Sequence, residues 1–353
     1  MGSHLVLATT ASAVPMGAQH YQEAVAERAQ SSLDAVEPGW RVTRSVARSL
    51  RSPLPGTLRM PMGRLVGAGR RERAAWGRLL YPKDAVVHRM DLVLPPPAGP
   101  DVVTLHDVVS WKYPDESAPI RAAATELRAA DAVICVSQFT ADEAGALLGL
   151  RDPIVVPNGV DQRFFDAAPL SEEALRGFGI DGRYVLYSGG SSARKNLPGL
   201  AEAWRLLAAH LPDVSLVLAG PPSPVRDELF GALPRVVQPG RVADDVLTGL
   251  LAGASVAVVP SLHEGFGLPA LEAMAAGTPL VSSDRASLPE VVGDGGLLTS
   301  PEGTALAAAM EATLGGGQEV DARVARGRAR AAAYTWERTV EGHAEVWRRL
   351  AGD

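Results

Sequence analysis

A chain of 353 residues exceeds what one ordinary core organises and suits two domains of roughly 150 to 180 residues each. Its 46% hydrophobic and 21% charged residues are those of a globular protein, and a net charge of −6 argues against a general nucleic-acid binder. A single cysteine, Cys135, excludes an internal disulfide framework and fits a reducing compartment.

The first apolar run, Leu5–Thr9, reads as a strand, followed by Met16-Gly17 and a helical start at Gln19-His20-Tyr21. Between Arg41 and Arg78 ten arginines face one acid, Glu72, and SPLPG (52–56) and MPMG (60–63) make part of that stretch loop. It is either a solvated face or a surface for an anionic acceptor or anionic membrane, at about 1 kcal/mol per basic residue. Strands follow at Val86–Arg89, Val102–His106, Ala132–Ser137 and Ile154–Pro157. Cys135 lies within AVICV and reads as a buried strand residue rather than a nucleophile. Ser137 reads as a helix N-cap.

The alternation pauses at Pro157-Asn158-Gly159-Val160-Asp161, a hinge turn with Gly159 expected at positive φ, before the turn-rich Asp166–Glu173. A second series contains strands Tyr184–Ser188, Val214–Ala219, Arg235–Pro239, Ser255–Pro260 and Pro279–Ser283. Helical spacing fills Leu197–His210 and Val242–Gly253 between them. Apolar strands separated by helices indicate parallel sheets covered on both faces. The expected architecture is α/β: two Rossmann-like, doubly wound domains facing a cleft, spanning 1–160 and 161–334. Residues 335–353 form a closing helix with Trp336, Val340 and Trp347 at helical spacing, docking back and a candidate to cross to the N-terminal domain. No apolar run approaches the ~20 residues of a bilayer span, and the N-terminus lacks a basic segment before an apolar one. A cytoplasmic location is expected, with peripheral contact at the inner membrane face left open.

Three segments carry chemistry. In HEGFGLPALE, 263–272, the loop after a buried strand holds Glu264, Gly265, Phe266 and Gly267, and a helix begins near Leu268 with Pro269 in its first turn. The free N–H groups there suit phosphate or sugar hydroxyls, and the glycines allow close backbone approach. Glu264 precedes the helix and Glu272 sits one turn inside it. The two therefore point at different parts of an extended ligand and suit hydroxyl recognition better than paired acid/base work. In SGGSSARKN, 188–196, Gly189 and Gly190 turn the chain, and Arg194 and Lys195 precede a helix. Two fixed cations beside free N–H groups are what a diphosphate needs. Lys195 is one of only three lysines among 34 basic residues, so a compact point charge is retained there. The third segment is His106-Asp107 at a strand's carboxyl end, where doubly wound folds bind ligands.

Residues His263 to Leu298 resemble the signature of the large retaining glycosyltransferase family 4, which has the GT-B fold. Glu264 and Glu272 match its two-glutamate motif with seven residues between, and Gly189 to Asn196 resembles its GG-x₃-RKN element. The resemblance is strong across Tyr184 to Leu298 and weaker over most of the rest.

The resemblance implies a hexosyl transfer from a nucleoside diphosphate sugar, with a uridine or guanosine base, to a hydroxyl acceptor by a front-face reaction. Glu264 would take the sugar's hydroxyls, Glu272 the ribose, Arg194 and Lys195 the departing diphosphate, and His106 the sugar near its anomeric carbon. Asp107 would support it or face the acceptor. The backbone of Gly265, Phe266, Gly267 and Leu268 would contact donor, as would Gly189 and Gly190. The family's first loop reads Gly-Gly, and only Gly17 of Met16-Gly17 matches it. The backbone at 238–242 resembles the place where the base is read. With no acid pair ending a strand of the second domain, no metal and no further cofactor is expected. The expected partners are the nucleotide sugar and an acceptor that is a small molecule, a glycan or lipid-linked, with no nucleic acid. Two alternatives are a nucleotide-sugar 2-epimerase of the same fold and a non-catalytic sugar-nucleotide-binding partner.

Overall fold

The computed structural model describes residues 3–12, 17–113 and 115–352. The chain forms two compact units. The first is the chain up to Gly159 together with the closing helix from Trp336, and the second is Val160–Thr335.

Among the described residues, the first unit is built on seven strands: β1 (His4–Thr10), β2 (Arg41–Ser49), β3 (Leu58–Met60), β4 (Ala85–Arg89), β5 (Asp101–Leu105), β6 (Ala132–Cys135) and β7 (Ile154–Val155). They lie in the order β3-β2-β1-β4-β5-β6-β7, each pair parallel. The period-two alternation of a strand sends its side chains to both faces. Leu5 and Leu7 of β1 join a core with Tyr21, Val25 and Leu33 of the helix Gly17–Val36 and with Val340 and Trp347 of the closing helix Trp336–Ala351. Val6 and Ala8 face the other way, onto Met60, Leu65 and Val87. Cys135 is fully buried at the end of β6, and Ser137 caps the helix Gln138–Leu148 by accepting from the Thr140 N–H at 3.0 Å.

In the arginine-rich stretch SPLPG (52–56) is loop, as the sequence suggested, whereas MPMG (60–63) runs from the end of β3 into the helix Met62–Gly67; β2 and the helix Arg70–Leu80 lie on either side. Strand β2 escapes a sequence reading because only Ala47 is buried along it. Arg73 departs from the surface reading altogether. It is fully buried, its Nε donates to Glu126 at 2.7 Å, and its terminal nitrogens bond the carbonyls of Leu65, Leu92, Val93 and Leu94. A buried charge is tolerable only when paired and hydrogen-bonded in this way. Gly159 is a second correction: it is absent from the positive-φ glycines among the described residues, and 157–160 contains no turn. The Val160 N–H bonds the Tyr334 carbonyl at 3.0 Å, which holds the segment without a reversal.

Among the described residues, the second unit has six strands: β8 (Arg183–Ser188), β9 (Val214–Ala219), β10 (Val236–Gly240), β11 (Val256–Val259), β12 (Leu280–Ser283) and β13 (Leu297–Thr299). Their order is β10-β9-β8-β11-β12-β13, again all parallel. Val185, Leu216, Leu218 and Val258 pack with Trp204 and Met310 from the helices Leu197–Leu207 and Gly303–Leu314. β13 is a half-buried edge strand of three residues, too short to leave a periodic signal. The chain reverses its winding at β8, which has β9 on one side and β11 on the other. In open α/β sheets the crevice at such a switch point, beyond the carboxyl ends of the strands, is where ligands bind. Gly189 leaves β8 there and Ser261 follows β11.

Candidate active site

In the second unit, the loops after β8 and β11 are tied to each other. The backbone N–H of Leu262 donates to the Arg194 carbonyl at 2.7 Å, and Asn196 Nδ2 donates to the carbonyls of Pro260 (3.1 Å) and Pro301 (2.8 Å). Asn196 adopts left-handed backbone, φ 54°, which ends the short 3₁₀ turn Ala193–Lys195 and starts the helix at Leu197. That turn aims both cations at one acid. Arg194 donates to Glu264 Oε2 at 2.9 Å, and Lys195 Nζ donates to Oε1 at 2.6 Å. Ser261 Oγ donates to the same Oε1 at 2.7 Å. All three charged side chains are 8–16% exposed. Burial alone would raise the Glu264 carboxyl, but Lys195 and Arg194 outweigh it and hold it below the usual carboxylate range. Within this cluster two cations converge on one carboxylate.

The loop continues into Gly265, buried Phe266 and Gly267, whose φ of 103° only glycine adopts readily. Ser287 Oγ lies 2.9 Å from the Glu264 carbonyl and 2.8 Å from that of Phe266, so a short helix beyond β12 fixes the loop from behind. Leu268 opens the helix Leu268–Ala275 with Pro269 in its first turn. Glu272, one turn on, stands in a different setting. Its charged neighbours are Arg163, Asp161 and Asp244, and Arg163 is engaged by both aspartates. Desolvation pushes the Glu272 carboxyl up to about 7, beyond what Arg163 offsets. The two glutamates therefore carry different protonation behaviour, one a fixed anion and the other poised near neutrality.

Arg226 is a component the sequence reading missed. It lies in the helix Pro224–Phe230, is 1% exposed, and spends its guanidinium on the carbonyls of Leu218, Ala219, Gly220 and Gly189, the last at 2.5 Å. It makes no ion pair among the described residues. Desolvation lowers its pKa, the cost of a guanidinium placed among carbonyls without a carboxylate. Gly190 sits beside this anchor, and its carbonyl accepts from the Tyr187 hydroxyl at 2.6 Å.

In the first unit, His106 follows β5 directly. Its Nε2 is buried and has no hydrogen-bond partner among the described residues, while the Met90 carbonyl hydrogen-bonds the ring. With Nε2 unpaired, Met90 takes the Nδ1–H, and Nε2 is left as an acceptor. Burial lowers the imidazole pKa against the pull of Asp107 and Asp91, so the ring is neutral. Asp107 Oδ1 accepts from the Val109 N–H at 2.9 Å and so shapes its own loop. Asp91, also unanticipated, accepts from Thr10 Oγ1 and the Val93 N–H, both at 2.9 Å. A polar residue just past a buried strand's carboxyl end was the available signal for Asp91. Gly17 is the exposed first residue of its helix, and Met16 lies outside the described residues. Among the described residues no three His, Cys, Asp or Glu gather as a metal site.

Residues 182–315 match the family described as Glycosyl transferases group 1, and residues 43–164 match Glycosyltransferase Family 4. The chain is 32% identical over 287 residues to an O-antigen chain mannosyltransferase B of Escherichia coli, covering 75% of this chain and 74% of that protein. Over 214 residues it is 31% identical to a GDP-mannose-dependent alpha-(1-6)-phosphatidylinositol dimannoside mannosyltransferase of Mycobacterium tuberculosis, of which it spans only 55%. That alignment covers 59% of this chain. Among solved structures, a sucrose-phosphate synthase from Thermosynechococcus elongatus superposes with a TM-score of 0.72 at 22% identity, covering 99% of both chains. The HepE protein of Anabaena, solved with UDP and glucose, gives 0.69 at 20% identity, covering 98% of this chain and 99% of that one. At these identities the structural likeness is one of fold.

Proposed function

We propose a reaction on the premise that the chain is a glycosyltransferase of family 4, the family to which it belongs. It moves a mannosyl unit from GDP-mannose to a hydroxyl acceptor with retention of configuration. The observation that supports this is the Arg194–Glu264–Lys195 cluster, in which two half-buried cations hold one buried carboxylate at the carboxyl ends of adjacent strands beside Gly189 and Gly190. The choice of mannose and guanosine draws on the two mannosyltransferase relatives, one of them named for GDP-mannose.

In this reading the anomeric C–O bond to the diphosphate breaks, and its electron pair goes to the phosphate oxygen. Arg194 and Lys195 neutralise that growing charge, an interaction strongest in the transition state. The acceptor oxygen bonds the anomeric carbon on the same face, and its proton passes to the leaving phosphate. Glu264 holds both cations in place and takes sugar hydroxyls. Glu272 accepts from the ribose hydroxyls, the backbone from Gly265 to Leu268 contacts the donor, and His106 Nε2 accepts from a sugar hydroxyl. Two fixed cations do what a divalent ion otherwise would, so turnover is metal-independent.

Incubating the chain with GDP-, UDP-, ADP- and dTDP-sugars tests the donor. GDP-mannose is expected to raise the melting temperature most, since a ligand at 100 times its Kd stabilises by about 2.7 kcal/mol. GDP release should persist in EDTA. Preference for another nucleotide would overturn the donor assignment, and loss of turnover in EDTA the metal-free one.

The arginine-rich stretch supports a second element of this reading. Arg41, Arg51, Arg59, Arg64, Arg70, Arg71 and Arg78 are exposed, and Leu50, Val66 and Leu79 stand exposed among them. No helix among the described residues is long and apolar enough to cross a membrane. Basic residues interleaved with apolar ones suit an anionic bilayer surface. Co-sedimentation with phosphatidylglycerol vesicles, absent with phosphatidylcholine alone, is the expected result, and equal binding to both would exclude the electrostatic contact.

A further inference from the structure

We propose that Tyr21 is a positioning residue for His106, anchored by a one-way chain of hydrogen bonds that the closing helix completes. The proposal rests on the reading of His106 as the group beside the transferred sugar.

The direction of every bond follows from the two ends. Trp347 Nε1–H can only donate, and it reaches His88 Nδ1 at 3.2 Å. His88 therefore carries its hydrogen on Nε2 and donates to Thr104 Oγ1 at 2.7 Å. Thr104 has one hydrogen, which goes to the Tyr21 hydroxyl oxygen at 2.8 Å. Tyr21 donates in turn to His343 Nε2 at 2.5 Å, and His343 Nδ1–H ends the chain on the Thr339 carbonyl at 2.6 Å. A carbonyl can only accept, so no link can be reversed without leaving a buried donor or acceptor unpaired. Burial supports the same assignment, because it keeps His343 neutral, down at about 4, and His88 well below its usual range.

Trp347, His343 and Thr339 all belong to the closing helix, whereas Tyr21 lies on the helix Gly17–Val36 and Thr104 on β5, two residues before His106. The Tyr21 ring is fully buried and meets the His106 imidazole edge-on, with centroids 4.7 Å apart and planes at 88°. His106 is thus fixed on one side by the Met90 carbonyl and on another by Tyr21, while its Nε2 lacks a partner among the described residues. A reacting-centre group set to within a fraction of an ångström needs support of this kind.

The test is a double-mutant cycle on the full chain, read as kcat and KM for GDP release from GDP-mannose. Tyr21→Leu and His106→Ala should each lower kcat by roughly ten- to a hundred-fold with little change in KM. The double variant should be no slower than His106→Ala. Multiplying losses would overturn the proposal, since a purely structural Tyr21 costs the same with or without His106. A wild-type kcat for His106→Ala would instead remove the reading of His106 itself. Tyr21→Phe keeps the ring and loses the anchor; it should cost a few-fold and likewise not compound with His106→Ala. Long-range ¹H–¹⁵N spectra of histidine-labelled protein decide without turnover. His106 should appear as the Nδ1–H tautomer in the wild type, and its ring signals should shift or broaden in Tyr21→Leu, where the edge-on contact that holds the ring is lost. An unchanged His106 signal would overturn the proposal.

Discussion

The ammonium of Lys195 lies 2.6 Å from Oε1 of Glu264, and that oxygen also accepts the Ser261 hydroxyl at 2.7 Å. A lysine held this way is oriented before any ligand arrives, which is the condition for electrostatic stabilisation without reorganisation. Lys195→Ala should lower kcat for GDP release by about 10²- to 10³-fold. Because Arg194 still pairs with Glu264 through Oε2 at 2.9 Å, the fold should survive, and circular dichroism should be unchanged. A kcat near that of the wild type would remove Lys195 from the reaction.

Glu272 predicts a pH dependence of nucleotide binding. Its carboxyl is pushed up to about 7 by desolvation, from an ordinary value of 4.5. Between those values the folded chain holds a proton that the unfolded chain has released. The site therefore stabilises the fold below about 4.5, and that contribution fades as pH rises to 7. Binding has the opposite sign, since the carboxylate is the better acceptor for ribose hydroxyls. The Kd for GDP should tighten by several-fold from pH 6 to pH 8. Glu272→Gln should lose that part of the slope, leaving only the titration of GDP itself. Identical slopes in calorimetry would separate Glu272 from the nucleotide.

The contrast between Glu264 and Arg226 shows what the sequence could disclose. The doubly wound character was legible because Leu5–Thr9, Val102–Leu105 and Val214–Ala219 are apolar runs too short for helices. Glu264, Arg194 and Lys195 were legible because each stands in a loop between a strand and a helix start, and the structure joins them. Arg226 looked like one more arginine on a polar helix. Its role depends on four carbonyls from 189 and 218–220, and nothing in local spacing announces that convergence. The pairing of Tyr21 with His343 spans 322 positions and was equally out of reach. Strands β2, β3 and β13 were missed for a simpler reason: they are half-exposed or three residues long, so burial left little pattern in them.

Arg226 predicts a coupled loss of stability and donor affinity. Replacing it with methionine strips a hydrogen bond from the buried Leu218 carbonyl and from that of Gly189, while the Ala219 carbonyl keeps the Gly189 N–H at 3.1 Å. Each unsatisfied buried acceptor costs about 1–3 kcal/mol, so the melting temperature should fall by several degrees. The same change frees the Gly189–Gly190 turn and removes a buried positive charge behind it. KM for GDP-mannose should rise by about ten-fold, since a hydrogen bond involving a charged group is worth ~1.5–3 kcal/mol. Arg226→Lys keeps the charge but cannot reach four carbonyls, and it should recover affinity only in part. A melting temperature that falls with KM unchanged would confine Arg226 to the fold.

Gly189 and Gly190 separate a glycine required by the protein from one required by its ligand. A Cβ at Gly189 would stand 2.8 Å from the Tyr187 hydroxyl, so alanine there must displace a side chain that bonds the Gly190 carbonyl. A Cβ at Gly190 would meet nothing within 4 Å, and its backbone is not in the left-handed region. Gly190→Ala should therefore leave the melting temperature within about a degree, as expected of a surface change of ±0.5 kcal/mol or less. If the diphosphate lies against this turn, the added methyl occupies the ligand's space, and Kd for GDP should weaken by ten-fold or more, a cost of at least ~1.4 kcal/mol. Gly189→Ala should lose both stability and affinity. Unaltered GDP binding by a stable Gly190→Ala protein would place the phosphates away from this loop and leave Arg194 and Lys195 to be explained by Glu264 alone.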